Sequence, residues 1–209
     1  MFTRTRSSTK KGTKVKKEAI ILVIALLTAC SGSSKKTYYH LPLETNHIHT
    51  ISNKYHNNQP VLWIQQILLP DHLAGNGLVY QTNDVEYVIT NHNLWINPLV
   101  QQLKQTMISN LSDNLPEWFI SADIPMIKDK ISKLNIIMKK FQGRYDGKVI
   151  ISGEWLLEHG KYFIKRDFSF IIPQKKDGYD ELVYTLSLGW HKVSDQISKE
   201  IINLNPMKQ

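Results

Sequence analysis

Apolar positions along this chain repeat with two periods, one belonging to strands and one to helices. Val61 to Leu69 is a short apolar run closed by Pro70, which suits a buried strand. Leu78–Thr82 and Val85–Ile89 flank Asn83-Asp84 and predict a hairpin. Leu99, Val100, Leu103, Met107 and Leu111 then fall at helical spacing, with Asn97 expected as N-cap and Pro98 at the first helical position. Leu115–Ser121 and Leu134–Gln142 are further strand candidates. In Lys148–Glu158, the residues Val149, Ile151, Gly153, Trp155 and Leu157 alternate with polar ones, so one face of that strand lies in a core. Tyr162–Ile172 continues as a strand stopped by Pro173. The last element is a helix with Tyr179, Leu182, Val183, Leu186, Trp190, Val193, Ile197 and Ile201 on one stripe and Asp177 as its expected N-cap. Gly189 in mid-helix costs about 1 kcal/mol against alanine, a cost that close packing on a sheet would explain. Strands, helix, strands and helix in this order predict an α+β domain: a mostly antiparallel sheet with two helices packed on one face.

The first thirty residues follow another logic. Residues 1–17 carry seven Lys/Arg and no acid, and a nine-residue apolar run, Ala19 to Leu27, follows. That run is too short to span a bilayer, which takes about 20 apolar residues as a helix. A basic region, a short apolar region and small residues make a secretory signal peptide. Its end, Leu27-Thr28-Ala29-Cys30, resembles the lipobox of bacterial lipoproteins: an apolar residue, two small residues, then a cysteine that is lipidated and becomes the new N-terminus. Cys30 is the chain's single cysteine. Its thiolate is a strong nucleophile suited to accept a lipid group, and two or more acyl chains anchor stably where one does not. Ser31 follows it; an Asp there would favour inner-membrane retention, so Ser31 points to the outer membrane. The expected organisation is residues 1–29 as signal peptide, 30–60 as lipidated N-terminus and tether, and 61–209 as one α+β domain. Within the tether, only Tyr38 to Leu43 is apolar enough to dock, as an extended edge segment in which Pro42 limits pairing.

Removing the signal changes the charge picture. Of 26 Lys/Arg and 18 Asp/Glu, seven and one lie in residues 1–29, leaving 19 against 17 and a net charge of +2 rather than +8. A near-neutral mature chain gives no warrant for nucleic-acid binding. With its cysteine lipidated, the chain has no internal disulfide to draw on and must be stable through packing.

Catalytic signatures are sparse. The chain has no Gly-x-Ser-x-Gly and no phosphate-binding glycine loop. His40, His47, His49 and His56 lie close in sequence, but in the expected tether no scaffold would fix them as metal ligands, and solvated linker is the better reading. His72, His92, His159 and His191 are isolated. Glu154 and Glu158 share a strand face, which a solvated sheet surface explains better than acid–base work. Trp155 and Trp190 fall on core stripes and Trp95 precedes the first helix. Trp63 and Trp118 are left open: either could line an apolar groove or anchor a partner. No catalytic, metal-binding or cofactor-binding residue is therefore expected, and the chain is read as not an enzyme.

The order of segments resembles the ABC-type transport auxiliary lipoproteins. The likeness is carried by Tyr38-Tyr39-His40-Leu41 after the lipobox, Ile67-Leu68-Leu69-Pro70 with Leu73, Leu78-Val79-Tyr80, Trp95 opening the helix that begins Pro98-Leu99, Gly153-Glu154-Trp155, and Asp177-Gly178-Tyr179 with Leu182-Val183. Ile96 and Asn97 depart from the pattern after Trp95, so no partner-contact residue is carried over. The resemblance implies a non-catalytic envelope lipoprotein at the outer membrane, working with an MCE-type periplasmic protein and an inner-membrane transporter subunit that move lipid between membranes. A homo-oligomer is compatible with such a conduit. The rival reading is an assembly or pilot lipoprotein for a secretion system or outer-membrane protein.

Overall fold

The computed structural model describes residues 35–43, 59–124 and 131–204. The described residues from Lys36 onward form one compact unit. Its strands are β1 (Thr37–Tyr39), β2 (Val61–Leu68), β3 (Gly77–Gln81), β4 (Tyr87–Trp95), β5 (Phe119–Ser121), β6 (Ile131–Arg144), β7 (Lys148–His159) and β8 (Tyr162–Pro173). Its helices are α1 (Asp71–Ala74), α2 (Leu99–Asn114) and α3 (Tyr179–Leu204). The α+β class follows from the alternations themselves: period two buries Val149, Ile151, Trp155 and Leu157 along β7, and the helical stripe buries Leu182, Leu186, Trp190, Val193, Ile197 and Ile201 along α3.

All eight strands join one sheet. The two longest pairings, β6 with β7 and β7 with β8, are antiparallel. Gly147 turns the first hairpin at φ +72°, a left-handed conformation natural to glycine. The shorter pairings of β1 with β4, β2 with β5, and β6 with both β2 and β3 are parallel. β6 is long enough to serve two partners on one edge: its first half takes β2, and Gly143 and Arg144 at its end take Tyr80 and Gln81 of β3. A register shift at Met138/Lys140 marks where β6 bends between them.

α2 and α3 carry the core cover. Leu103, Met107 and Leu111 of α2 and Trp190 and Val193 of α3 are essentially inaccessible, and the Trp190 ring meets Phe141 of β6 edge-on at 6.4 Å. Trp190 Nε1 donates to the Leu103 carbonyl at 3.1 Å, tying the helices together across their seam. Gly189 does what its position predicted: a Cβ there would overlap the Ile151 side chain, so the missing atom lets α3 seat directly on β7.

Local details differ from the sequence reading at helix starts. Pro98, at φ −48° and ψ 130°, is the N-cap of α2 rather than its first residue, and no side chain caps that end. Asn97 instead offers its carbonyl to Gln102 Nε2 at 2.8 Å. The strand expected over Leu115–Ser121 is confined to Phe119–Ser121, because Leu115 to Trp118 form a turn closed by Trp118 N–H to the Leu115 carbonyl at 2.9 Å. The single turn α1 has no counterpart in the hydrophobic pattern, since four residues are too few to show a period.

Candidate anchor and interaction surfaces

The predicted lipidation residue, Cys30, lies outside the described residues, as do His47, His49 and His56. The first described segment downstream of Cys30 is held firmly. Thr37, Tyr38 and Tyr39 pair with Asn93, Leu94 and Trp95, making β1 an edge strand as the sequence suggested. Leu41 is fully buried, and its N–H donates to Gln102 Oε1 at 2.7 Å. Ser187 Oγ of α3 donates to the Pro42 carbonyl at 3.0 Å. The Tyr39 ring lies 6.2 Å from Tyr179. The segment Thr37 to Pro42 is thus clamped against both long helices. Gln102 and Ser187 were not picked out as functional. The available signal was polarity on a buried stripe: Gln102, Thr106 and Asn110 interleave with Leu99, Leu103 and Met107 on the covered face of α2.

The sheet face opposite the long helices is chemically different. Glu154 of β7 sits between Lys165 Nζ at 2.7 Å and Lys139 Nζ at 3.0 Å, and Lys139 also reaches Asp167 at 3.2 Å. The hydrogen bond from Lys165, then that from Lys139, holds the Glu154 carboxyl below its ordinary pKa. The same pairs, Glu154 first and Asp167 second, raise that of Lys139. Glu158 pairs with Lys133 at 3.2 Å. An ionised, doubly paired carboxylate is a poor proton donor, so Glu154 serves as an ion-paired surface group. Leu68, Ile137, Leu156, Phe163 and Ile171 are exposed on this same face by strand alternation.

At the start of α3 a cavity of about 250 Å³ is lined by Tyr80, Gly147, Gln174, Asp177, Tyr179 and Leu182, among others. Burial, reinforced by Asp177, Tyr179 and Asp146, pushes the Tyr80 phenol above its ordinary pKa. Burial followed by Asp180 does the same to Tyr39. These phenols therefore stay neutral hydrogen-bonding groups.

The isolated histidines occupy structural positions. His159 Nδ1 is 2.7 Å from Ser132 Oγ and its ring is 6.0 Å from Trp118. His72 lies 5.9 Å from the Tyr87 ring, and His191 lies 3.6 Å from Asp195. Among the described residues no group of three His, Cys, Asp or Glu side chains converges on a point a metal would occupy. Trp118 is buried and hence core, whereas Trp63 is half-buried beside Lys133 in the open-face register. No described helix is long and apolar enough to cross a membrane.

A helix-backed sheet with a pinned N-terminal strand and paired surface carboxylates defines a small α+β domain. The profile of the ABC-type transport auxiliary lipoprotein component matches residues 39–198, and the chain belongs to that family. It is 42% identical over 191 residues to the intermembrane transport lipoprotein PqiC of Escherichia coli K12, covering 91% of this chain and all of that one. The Shigella flexneri protein of the same name matches equally. A crystal structure of an uncharacterized protein, 46% identical, superposes with a TM-score of 0.70 over 80% of this chain and 99% of that one. A Xanthomonas campestris protein shares the fold at 14% identity and a TM-score of 0.63, over 82% of this chain and 97% of its own. The resemblance read from the ordered motifs is thereby confirmed.

Proposed function

We propose that this chain is a non-catalytic accessory lipoprotein of an MCE-type intermembrane lipid transport system that maintains envelope integrity. The observation that carries the reading is the family match over residues 39–198 directly downstream of a lipobox at Leu27–Cys30. Residues 1–29 are removed as signal peptide, and Cys30 carries the lipid at the periplasmic face of the outer membrane, with Ser31 favouring that destination. Residues 30–60 lead from the anchor to the 61–209 domain, and Thr37 to Leu43 already lie against it. The domain binds an MCE-type periplasmic protein that connects to an inner-membrane transporter subunit. A scaffold of this kind needs rigid docking faces and no proton-transfer site, in keeping with carboxylates held ionised by lysines.

The test is metabolic labelling with a clickable palmitate analogue, comparing the natural chain with Cys30→Ser, followed by membrane fractionation and affinity recovery of partners. Label on the natural chain only, in the outer-membrane fraction and with an MCE-type protein co-purifying, is the expected result. An unlabelled natural chain, soluble in the periplasm, refutes the anchor; recovery of secretin or pilus components instead of transporter subunits refutes the transport role.

A further inference from the structure

β8 is the outermost strand on its side of the sheet, pairing only with β7 among the described strands. An edge of this length is normally guarded by charge or proline. The guard here is uneven: Lys165, Arg166 and Asp167 protect the first half and Pro173 the end, but Phe168 to Ile172 holds only Ser169 as a polar residue. Beside this unguarded half runs a groove of about 510 Å³ between β8 and α3. Phe168 and Phe170 lie along its strand side and Lys192, Gln196 and Lys199 along its helix side.

The charges on the groove are not balanced within it. Asp195 is turned to Asn114 Nδ2 at 3.0 Å and to His191 at 3.6 Å, and the Asp167 carboxylate is held by Lys139 at 3.2 Å. Lys192 and Lys199, both exposed, have no acidic partner among the described residues. They stand two turns apart on α3, about 10 Å, which is the length of roughly three strand residues. Gln196 Nε2 reaches the Asp167 carbonyl at 3.4 Å, and its buried Oε1 has no partner. That carbonyl thus faces away from β7, and by the two-residue period the Ser169 N–H faces the same open edge.

We propose that this groove binds an extended acidic segment of a partner protein, which adds to β8 as a further strand. Its backbone pairs with the edge at Asp167 and Ser169. Its apolar side chains lie over Phe168 and Phe170, and its carboxylates meet Lys192 and Lys199. Backbone pairing supplies affinity, while the lysines and phenyl rings select the sequence. This deepens the transport reading by naming the face that holds a partner, and its test succeeds or fails wherever the chain is anchored.

The experiment measures fluorescence anisotropy of a labelled peptide repeating the order glutamate, glutamate, valine, valine, with the full lipidated chain in detergent. In that order each face of the strand carries both residue types. Expected are saturable binding, no binding of the counterpart with lysine for glutamate, and a loss of at least about tenfold for Lys192→Glu with Lys199→Glu, a pair of charges on one exposed helix face. Ser169→Pro, which removes only an edge N–H, is expected to weaken binding comparably while the melting curve stays unchanged. Absence of acidic-peptide binding, or binding indifferent to the lysine reversal, overturns the proposal. Binding that survives Ser169→Pro overturns strand addition. If the reversal changes the size of the assembly and no peptide binds, a second copy of the chain occupies the groove and the proposal is again overturned.

Discussion

The two faces of the central sheet are built from the same strands and do opposite jobs. On the covered face, Val149, Ile151, Trp155 and Leu157 of β7 pack beneath α3, and Trp155 and Trp190 are each 1% exposed. On the open face, one residue along in each strand, Lys133, Lys139, Lys165, Glu154, Glu158 and Asp167 form paired charges around exposed Ile137, Leu156 and Phe163. A one-residue step reverses solvent exposure because the strand period is two. The covered face supplies stability through area and packing density. The open face supplies charge pairs that contribute little stability but surround its exposed apolar side chains with charge.

The comparison breaks most sharply at Trp190. Replacing it with alanine empties a cavity between Phe141 and α2 and removes the hydrogen bond to the Leu103 carbonyl. The expected loss is about 3–5 kcal/mol, a large share of the 5–15 kcal/mol typical of a domain. Urea unfolding of the full chain measures it, and a loss below about 1 kcal/mol would show that α3 is not the main cover of the sheet.

A smaller effect is expected at Gln102, whose amide holds the Leu41 N–H on one side and the Asn97 carbonyl on the other. Gln102→Ala leaves a buried donor without its partner, at a cost of about 1–3 kcal/mol. It also loosens the segment leading from Cys30. Amide exchange at Leu41 should rise far more than exchange in β7. Equal acceleration in both places would mean that Gln102 acts on global stability and not as a clamp.

The covered face was largely legible in the sequence, since the stripe on α3 and the alternation in β7 each lie within one element and need no knowledge of neighbours. The pairing of β6 with both β2 and β3 was not legible, because hydrophobic period says which side faces the core and nothing about which edge meets which. Trp118 could not be assigned for the same reason: its burial depends on His159, forty-one residues away in sequence and brought near by β7. The groove beside β8 was invisible because Lys192 and Lys199 look like an ordinary solvated helix face until the strand edge is set next to them. Cys30 was singled out from local order alone, since a signal peptide is recognised by its linear pattern rather than by a fold, and it lies outside the described residues.

The smallest expected effect lies on the open face, at Glu154. Its carboxyl is held below the ordinary carboxylate range by Lys165 and Lys139, so its folded-state pKa lies beneath its unfolded one. The stabilisation it provides is therefore complete above the unfolded pKa and disappears as pH falls through the depressed folded value. Glu154→Gln removes that contribution at every pH. The natural chain should be slightly more stable than the variant at neutral pH, and the gap should close on acidification below the carboxylate range. Asp146, held low by Lys148 and Arg144, titrates alike in both chains and cancels from the difference. High salt should narrow the same gap at neutral pH, because these side chains are screened by solvent ions. Melting curves of the two chains across pH and salt decide the matter. A gap that persists unchanged in acid and in high salt would mean that Glu154 contributes through packing, and that the open face is not the electrostatic counterpart of the covered one.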